Sequence, residues 1–125
     1  MIEIFIPGNV PSSKNGKRWT GKHLIWSKTA MQYVKNTDKY WREYANEFIA
    51  ESLKHSYTLT TPLKVSFTFI RGSKHKFDYV NPLQTVLDLM VRYNWITDDN
   101  ADIILPVFEP YVYNKENPGV IIKIL

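Results

Sequence analysis

Every second residue is apolar in several short segments of this chain, a period that predicts β-strands with one buried face. Residues 63–69 show it most regularly, because their leucine, valine and phenylalanine side chains are separated by lysine, serine and threonine. Pro7 and Gly8 end the first such segment, since proline cannot donate to a sheet and glycine favours turns. The predicted strands occupy residues 2–6, 63–69, 103–105 and 120–125.

Two other segments have apolar residues at helical spacing. Ser27 is a candidate N-cap for a long helix ending near Leu53, and Asn81 is a candidate N-cap for a shorter helix that starts with Pro82 and stops before Asn94. The expected core positions are Met31, Val34, Trp41, Tyr44, Ala45, Phe48 and Ile49, then Leu83, Val86, Leu87 and Met90. The order strand, helix, strand, helix, strand, strand predicts an α+β domain with helices packed on one mixed sheet.

Composition and length limit the classes of protein that fit. The chain has 125 residues, no cysteine and a formal net charge of +4. We therefore expect a single domain over residues 1–125, without a disulfide, a thiolate zinc site or a thiol nucleophile. No apolar run approaches the roughly 20 residues of a membrane span, which predicts a cytoplasmic protein with no membrane partner. The basic net charge favours an anionic partner.

Positive charge is concentrated in two stretches. Residues 8–28 carry five cations and no acid, interleaved with Trp19, His23 and Trp26. The glycines and prolines there predict an irregular surface segment able to follow a phosphate backbone. An alternative is a solvated loop whose tryptophans lie in the core. The second stretch is residues 71–76, and the candidate phosphate-contacting cations of both stretches are Lys14, Lys17, Arg18, Lys22, Lys74 and Lys76.

Negative charge is concentrated further along the chain. Six carboxylates and a single cation, Arg92, lie between Asp78 and Glu109. Acids gathered in one region of a basic chain indicate a divalent metal, and oxygen ligands without cysteine or clustered histidine indicate Mg²⁺, with Mn²⁺ as the alternative, rather than zinc. The serines have no nearby histidine or aspartate partner, and no glycine-rich phosphate loop is present, which argues against a serine hydrolase and against nucleotide hydrolysis.

The acids stand on both sides of the shorter predicted helix. Asp78 precedes it and the acids of residues 98–102 follow it. A helix of ten residues is about 15 Å long, so the following loop must fold back if acids from both ends are to share an ion. Trp95 and Ile96 provide an apolar anchor for that return. An alternative is that residues 98–100 form an ordinary turn, because Asp and Asn favour turns on their own account.

The order of these features resembles the RusA-like crossover junction endodeoxyribonucleases. Their pattern is roughly D-x-D-N-x-x-K at a strand-to-helix junction, followed after the helix by an aromatic or aliphatic residue and then D-D. Here it reads D-Y-V-N-P-L-Q from Asp78 and W-I-T-D-D from Trp95. The opening is similar too, with a strand, Pro7 and then P-S-S-K-N from Pro11. The resemblance therefore covers nearly the whole chain.

The resemblance implies a fold, an activity and partners. The fold is one RusA-like domain with a mixed sheet, two main helices and the order β-α-β-α-β-β. The activity is Mg²⁺-dependent, structure-selective cleavage of Holliday junctions in DNA recombination and repair. The implied partners are four-way DNA junctions and a second copy of the chain in a homodimer. Such proteins act in the bacterial cytoplasm and are often encoded by phages or prophages.

The resemblance also implies roles for individual residues. Asp78 and Asp99 are the primary metal ligands, with Asp98 and Asp102 as supporting acids. Asp78, Asp99 and Gln84 form the expected catalytic set. However, the family's second aspartate is replaced by Val80, and its lysine by Gln84. Valine cannot bind a metal, and glutamine carries no positive charge.

Two interpretations of these replacements stay open. In one, the chain is a divergent nuclease in which Gln84 contacts the substrate or orients a ligand. The residues offered as substitutes are then Asp102 or Asp88 for the missing acid and Lys76 or Arg92 for the missing cation. In the other, the protein is catalytically impaired and binds branched DNA without cutting it. A basic interaction protein unrelated to nucleic acid is a third interpretation.

Overall fold

The structure, a computed structural model, describes residues 2–12, 17–19, 24–56 and 62–125, with the backbone alone at 17–19, 24–26 and 56. The elements within these residues are β1 (Glu3–Pro7), β2 (Lys17–Trp19), β3 (Leu24–Trp26), α1 (Lys28–Ser56), β4 (Leu63–Arg71), α2 (Val80–Arg92), β5 (Ile104–Phe108), β6 (Val112–Tyr113) and β7 (Gly119–Ile124). The predicted α+β class, with one mixed sheet and two helices, is confirmed. The short hairpin β2–β3 and the two-residue strand β6 add to the predicted order.

Strand β4 lies at the centre of the main sheet. It pairs antiparallel with β7, which in turn pairs with β1, and it pairs in parallel with β5 and β6 on its other side. Leu63 is level with Ile104 and Ile70 is level with Val112, so β5 and β6 follow each other along one edge of β4. Parallel neighbours need a crossover, and α2 provides it between β4 and β5. The start of α2 therefore lies near the end of β4.

The core lies on one face of this sheet. Val65, Phe67 and Phe69 of β4 are almost fully buried, as are Ile4, Ile6, Val120, Ile122 and Ile124, which pair beside them. These side chains form one cluster with the apolar residues of both helices. The alternate side chains of the same strands point to the opposite face, as the period of two predicts.

Helix α1 begins where the sequence predicts. The backbone N–H of Ala30 donates to Ser27 Oγ at 3.2 Å, so Ser27 is the N-cap. The helix continues to Ser56, three residues beyond the predicted end. Met31 is 56% exposed, and its predicted place in the core is wrong. The buried stripe passes instead through Tyr33 and Thr37, and a residue two positions before Tyr33 lies on the opposite side of the helix.

Helix α2 begins at Val80, two residues earlier than predicted, and the assignment of Asn81 as its N-cap is wrong. Tyr79 occupies the cap position with helical backbone angles and makes no side-chain cap bond. Asn81 instead lies within the first turn of the helix, and its Nδ2 donates to the Asp78 carboxylate at 3.4 Å. The predicted end is confirmed, since the helix stops at Arg92 and Asn94 has a left-handed φ of 65°.

The buried face of α2 is also as predicted. Leu83, Val86, Leu87 and Met90 are all buried. Neither helix of the described ranges is both long enough and apolar enough to cross a membrane.

Candidate functional site

The outer face of α2 carries a row of polar side chains. Asn81, Gln84 and Asp88 follow each other at spacings of three and four residues, which places them on one side of the helix. The opposite side is apolar and packs into the core. Because burial of that side fixes the rotation of the helix, the polar row is held facing outward.

The loop after α2 returns along this polar row. Trp95 and Ile96 are 3% and 8% exposed. The Trp95 ring packs against Trp41 and Phe48 at centroid distances of 5.2 and 5.0 Å, and its Nε1 donates to the Trp41 carbonyl at 2.7 Å. The predicted apolar anchor is therefore confirmed. It brings Asp99 back beside the middle of α2.

Gln84 joins two carboxylates at this point. Its Nε2 donates to Asp88 Oδ1 at 2.8 Å and to Asp99 Oδ2 at 3.1 Å. Two carboxylates that converge on one donor nitrogen face each other closely, and their like charges repel unless a positive or partly positive group stands between them. We call Asp88 and Asp99 the acid pair. The side-chain amide of Gln84 provides its partly positive N–H group to both members.

The acid pair has the chemistry of a magnesium site. Its donors are carboxylate oxygens, which a hard divalent cation prefers. Within the part of the chain that the structure describes, no group of three or more acidic or histidine side chains is arranged to hold a metal. Mg²⁺ commonly binds proteins through only one or two carboxylates and completes its shell with water and substrate phosphates. A pair therefore fits this ion.

Asp78 stands at the beginning of the same polar row. Its Oδ2 accepts the hydrogen bond from Asn81, which precedes Gln84 by three residues. Asp78 and Asp99 thus lie on one side of α2, each bonded to a different amide of the row. No hydrogen bond joins the two carboxylates directly in the described ranges. The two predicted primary ligands therefore both contact α2, and Asp99 shares the side-chain amide of Gln84 with Asp88.

Asp98 and Asp102 belong to a turn. Asp98 accepts hydrogen bonds from the Asp99 backbone at 2.8 Å and from Asn100 Nδ2 at 2.9 Å, and Asn100 Oδ1 accepts one from the Asp102 backbone at 2.9 Å. The bond from Asn100, together with that from the Asp99 backbone, holds the pKa of Asp98 below its usual value. The turn interpretation thus describes Asp98, whereas its neighbour Asp99 reaches the helix.

The predicted DNA-contacting cations fall into two groups. Lys14 and Lys22 lie outside the described residues, and Lys17 and Arg18 belong to β2, for which only the backbone is described. The other group is near the polar row. Lys76 lines a cavity that also contains Asp78, and Lys74 Nζ lies 5.0 Å from the centre of the Tyr113 ring.

Of the two cations offered in place of the family lysine, Lys76 is the one beside Asp78. The Arg92 guanidinium lies 5.9 Å from the Tyr93 ring at the far end of α2. A further cation, Arg71, belongs to the second basic stretch, and the sequence predicts no role for it. Its guanidinium lies 4.4 Å from the centre of the Phe77 ring and lines the same cavity as Asp78. The sequence feature that could have identified Arg71 is its position at the end of β4, two residues after the buried Phe69.

A chain of aromatic rings borders this region. Phe77 packs against Tyr79 and Tyr111 at 5.3 and 5.1 Å, and Tyr79 packs against Phe108 at 5.2 Å. The Tyr79 hydroxyl accepts a hydrogen bond from the Tyr111 backbone at 3.1 Å. Phe108, Tyr111 and Tyr113 lie along the β5–β6 edge of the sheet and are 39–49% exposed. Phe77 is also the ring over which the Arg71 guanidinium lies.

Comparison with known proteins adds no relative. No protein-family model matches the chain, and no curated protein matches it.

Proposed function

We propose that this protein is a Mg²⁺-dependent, structure-selective endodeoxyribonuclease that cuts four-way DNA junctions. The observation that carries the proposal is the polar row of α2, in which the acid pair and Asp78 stand on one helix face. Cationic side chains lie immediately beside it. Carboxylates that hold a divalent ion next to cations that hold phosphates are the two components that metal-assisted phosphodiester hydrolysis requires.

In this proposal the acid pair holds the metal and Asp78 supports it from the start of α2. When bound, Mg²⁺ would lower the pKa of a coordinated water and offset the charge that develops on the phosphate. The amide of Gln84 orients both carboxylates of the pair, which is the ligand-orienting role offered for it from sequence. Asp98 keeps the turn in shape, so that Asp99 rather than Asp98 reaches the helix.

The DNA is held by the cations of the two basic stretches. Lys74 and Lys76 are the members of this set whose side chains the structure describes. Lys14, Lys17, Arg18 and Lys22 are proposed on sequence grounds. A homodimer would present two such sites to the two symmetric halves of a four-way junction. The dimer, the role in DNA recombination and repair, and a cytoplasmic bacterial, phage or prophage setting rest on the resemblance to RusA-like enzymes.

A second candidate function is binding of branched DNA without cleavage. The bridge from Gln84 favours it, because one neutral amide already donates to both members of the acid pair. Val80 favours it as well, since this side chain is 66% exposed at the start of α2 where the family carries a carboxylate. In this alternative the polar row keeps its shape without a metal.

Cleavage of a synthetic four-way junction separates the two candidates. The full chain is incubated with labelled junction or with linear duplex, in Mg²⁺ or in EDTA, and products are resolved on a denaturing gel. The proposal expects Mg²⁺-dependent cuts in the junction and few in the duplex. Tight junction binding without any cut in Mg²⁺ or Mn²⁺ would establish the binding protein instead. No binding to junction or duplex at low salt would support the unrelated interaction protein.

A further inference from the structure

A cavity of about 300 Å³ lies between the end of β1, the end of β4 and the start of α2. Its walls are fixed by two long-range hydrogen bonds. The Gly72 backbone donates to Asn9 Oδ1 at 3.1 Å, and Thr85 Oγ1 donates to the Pro11 carbonyl at 2.8 Å. These bonds tie residues 9–11 to β4 on one side and to α2 on the other. We call this space the Arg71 cavity.

One hydrogen-bond donor of Arg71, its Nε–H, has no partner among the described residues. Its guanidinium lies over the Phe77 ring, and its Nε is buried without a hydrogen-bond partner among the described residues. A buried donor that lacks an acceptor destabilises the folded state, so such groups in native proteins usually have a ligand, an ion or water as their partner. A planar guanidinium fixed on an aromatic ring is also already oriented to bind a phosphate.

The charge of the cavity selects an anion. Two cations, Arg71 and Lys76, line it against one carboxylate, that of Asp78. The first turn of α2 also faces it through Asn81 and Pro82, and Tyr79 gives that turn no side-chain cap. The helix dipole places partial positive charge at this end of α2, which favours an anion. The Asp78 carboxylate accepts a hydrogen bond from the Asn81 side chain, which partly offsets its negative charge.

We propose that the Arg71 cavity binds one phosphate group of a DNA strand, with Arg71 as its principal ligand. This deepens the proposed function and rests on it for the source of the phosphate. The site lies beside Asp78, so a bound strand would pass directly from the cavity to the polar row of α2. Arg71 then provides, beside Asp78, the positive charge that Gln84 lacks.

The first test uses inorganic phosphate and needs no DNA. The ¹⁵N-labelled full chain is titrated with phosphate in the absence of divalent metal, and the Arg71 Nε–H resonance is followed by NMR. We expect a saturable shift of this resonance and of the Asn81 side-chain amide, because Asn81 lines the same cavity. Arg42 is the internal control, because its Nε lies 3.0 Å from Asp38 and is already paired. Equal shifts at Arg42 and Arg71, or no saturation by tens of millimolar phosphate, would overturn the proposal.

The second test measures binding of a four-way junction in EDTA. Arg71→Gln is expected to weaken binding about tenfold and to reduce the slope of log affinity against log salt by about one phosphate contact. The matched control is Lys123→Gln, which removes the same charge from β7, where the side chain alternates with the buried Ile122 and Ile124 and points to the other face of the sheet. Equal effects of the two substitutions would refute the assignment of Arg71.

The two tests separate this inference from the proposed nuclease activity. Neither requires cleavage, so a wild type that never cuts but shows the Arg71 shift and the reduced salt slope retains the phosphate site and loses only the nuclease function. A wild type that cuts junctions but binds them equally well with Arg71→Gln retains the function and loses the phosphate site. Arg71→Lys keeps the charge without the planar guanidinium, and it should bind phosphate at least threefold more weakly than the wild type.

Discussion

Asp78 and Asp99 stand on one helix face in opposite electrostatic surroundings. Asp78 shares a cavity with Arg71 and Lys76, and an asparagine amide donates to it. Asp99 faces a second carboxylate, that of Asp88, across the neutral amide of Gln84, and no described cation forms an ion pair with Asp99. We therefore expect an added cation to be favoured at the Asp99 end, where two carboxylates accept from one neutral amide. We therefore propose the metal at the acid pair and the phosphate at the Asp78 end.

The largest expected effect comes from removing the anchor that creates this arrangement. Trp95→Ala should lower the free energy of unfolding by about 3–5 kcal/mol, because it empties a buried site against Trp41 and Phe48. Urea unfolding measures the change. Trp95→Phe is the control, since it keeps a ring but loses the 2.7 Å hydrogen bond to the Trp41 carbonyl, and it should cost about 1 kcal/mol for that bond plus the smaller ring. Equal costs would show that packing of Trp95 does not hold the loop.

The second-largest expected effect is on cleavage, and it distinguishes Asp99 from its neighbour Asp98. Asp99→Asn should reduce Mg²⁺-dependent junction cleavage by at least about 100-fold, because it removes one member of the acid pair. Asp98→Asn removes the same charge from a turn residue that contacts Asn100, and its cleavage rate should stay within about threefold of the wild type after correction for folding. Single-turnover rates on one labelled junction make the comparison. Similar losses in both variants would contradict the placement of the metal at Asp99.

A third prediction adds an acid instead of removing one. Val80 precedes Gln84 by four residues, so Val80→Asp places a new carboxylate on the same helix face as the acid pair. We expect Mn²⁺ affinity, measured by calorimetry, to rise about tenfold with the extra ligand charge. Met31→Asp is the control, an apolar position on α1 that is 56% exposed, against 66% for Val80. If the control gains as much affinity, the metal is responding to net charge and not to this site.

The smallest effect tests the Asp78 end. Asp78→Asn removes the negative charge from the Arg71 cavity, so junction binding in EDTA should strengthen, by about threefold for one unfavourable charge near a phosphate. Glu47→Gln removes a charge of the same sign from the exposed side of α1 and should change affinity less. Fluorescence anisotropy at fixed salt measures both variants. Weaker binding of Asp78→Asn would mean that this carboxylate, not the cations, governs the cavity.

Sequence patterns predicted the frame of the site but not its partners. Trp95 and Ile96 were recognisable as an anchor because they interrupt an acidic stretch with two large apolar side chains. Asp98 and Asp99 could not be separated, since adjacent acids have the same chemistry and the turn geometry alone decides which one points to the helix. An asparagine before proline predicts an N-cap, whereas Asn81 lies inside α2 and its side-chain amide contacts Asp78.

Arg71 shows a second limit of sequence reasoning. Its cavity is closed by a hydrogen bond between Asn9 and Gly72, residues 63 positions apart, and local patterns do not reveal such a contact. The sheet order explains it afterwards, because β7 lies between β1 and β4 and brings both strand ends to the start of α2. Local patterns therefore predict the fold class, whereas the neighbours of each acid depend on contacts between residues far apart in the sequence.

Manganese-induced broadening of NMR signals tests the central claim most directly. Substoichiometric Mn²⁺ is added to the ¹⁵N-labelled full chain without DNA, and every backbone and side-chain amide signal is followed. If the acid pair binds the metal, the Gln84 side-chain amide and the Asp88 and Asp99 backbone signals broaden first, and excess Mg²⁺ restores them. Earlier broadening at Glu109 or Glu116, or equal broadening at all exposed carboxylates, would contradict the account.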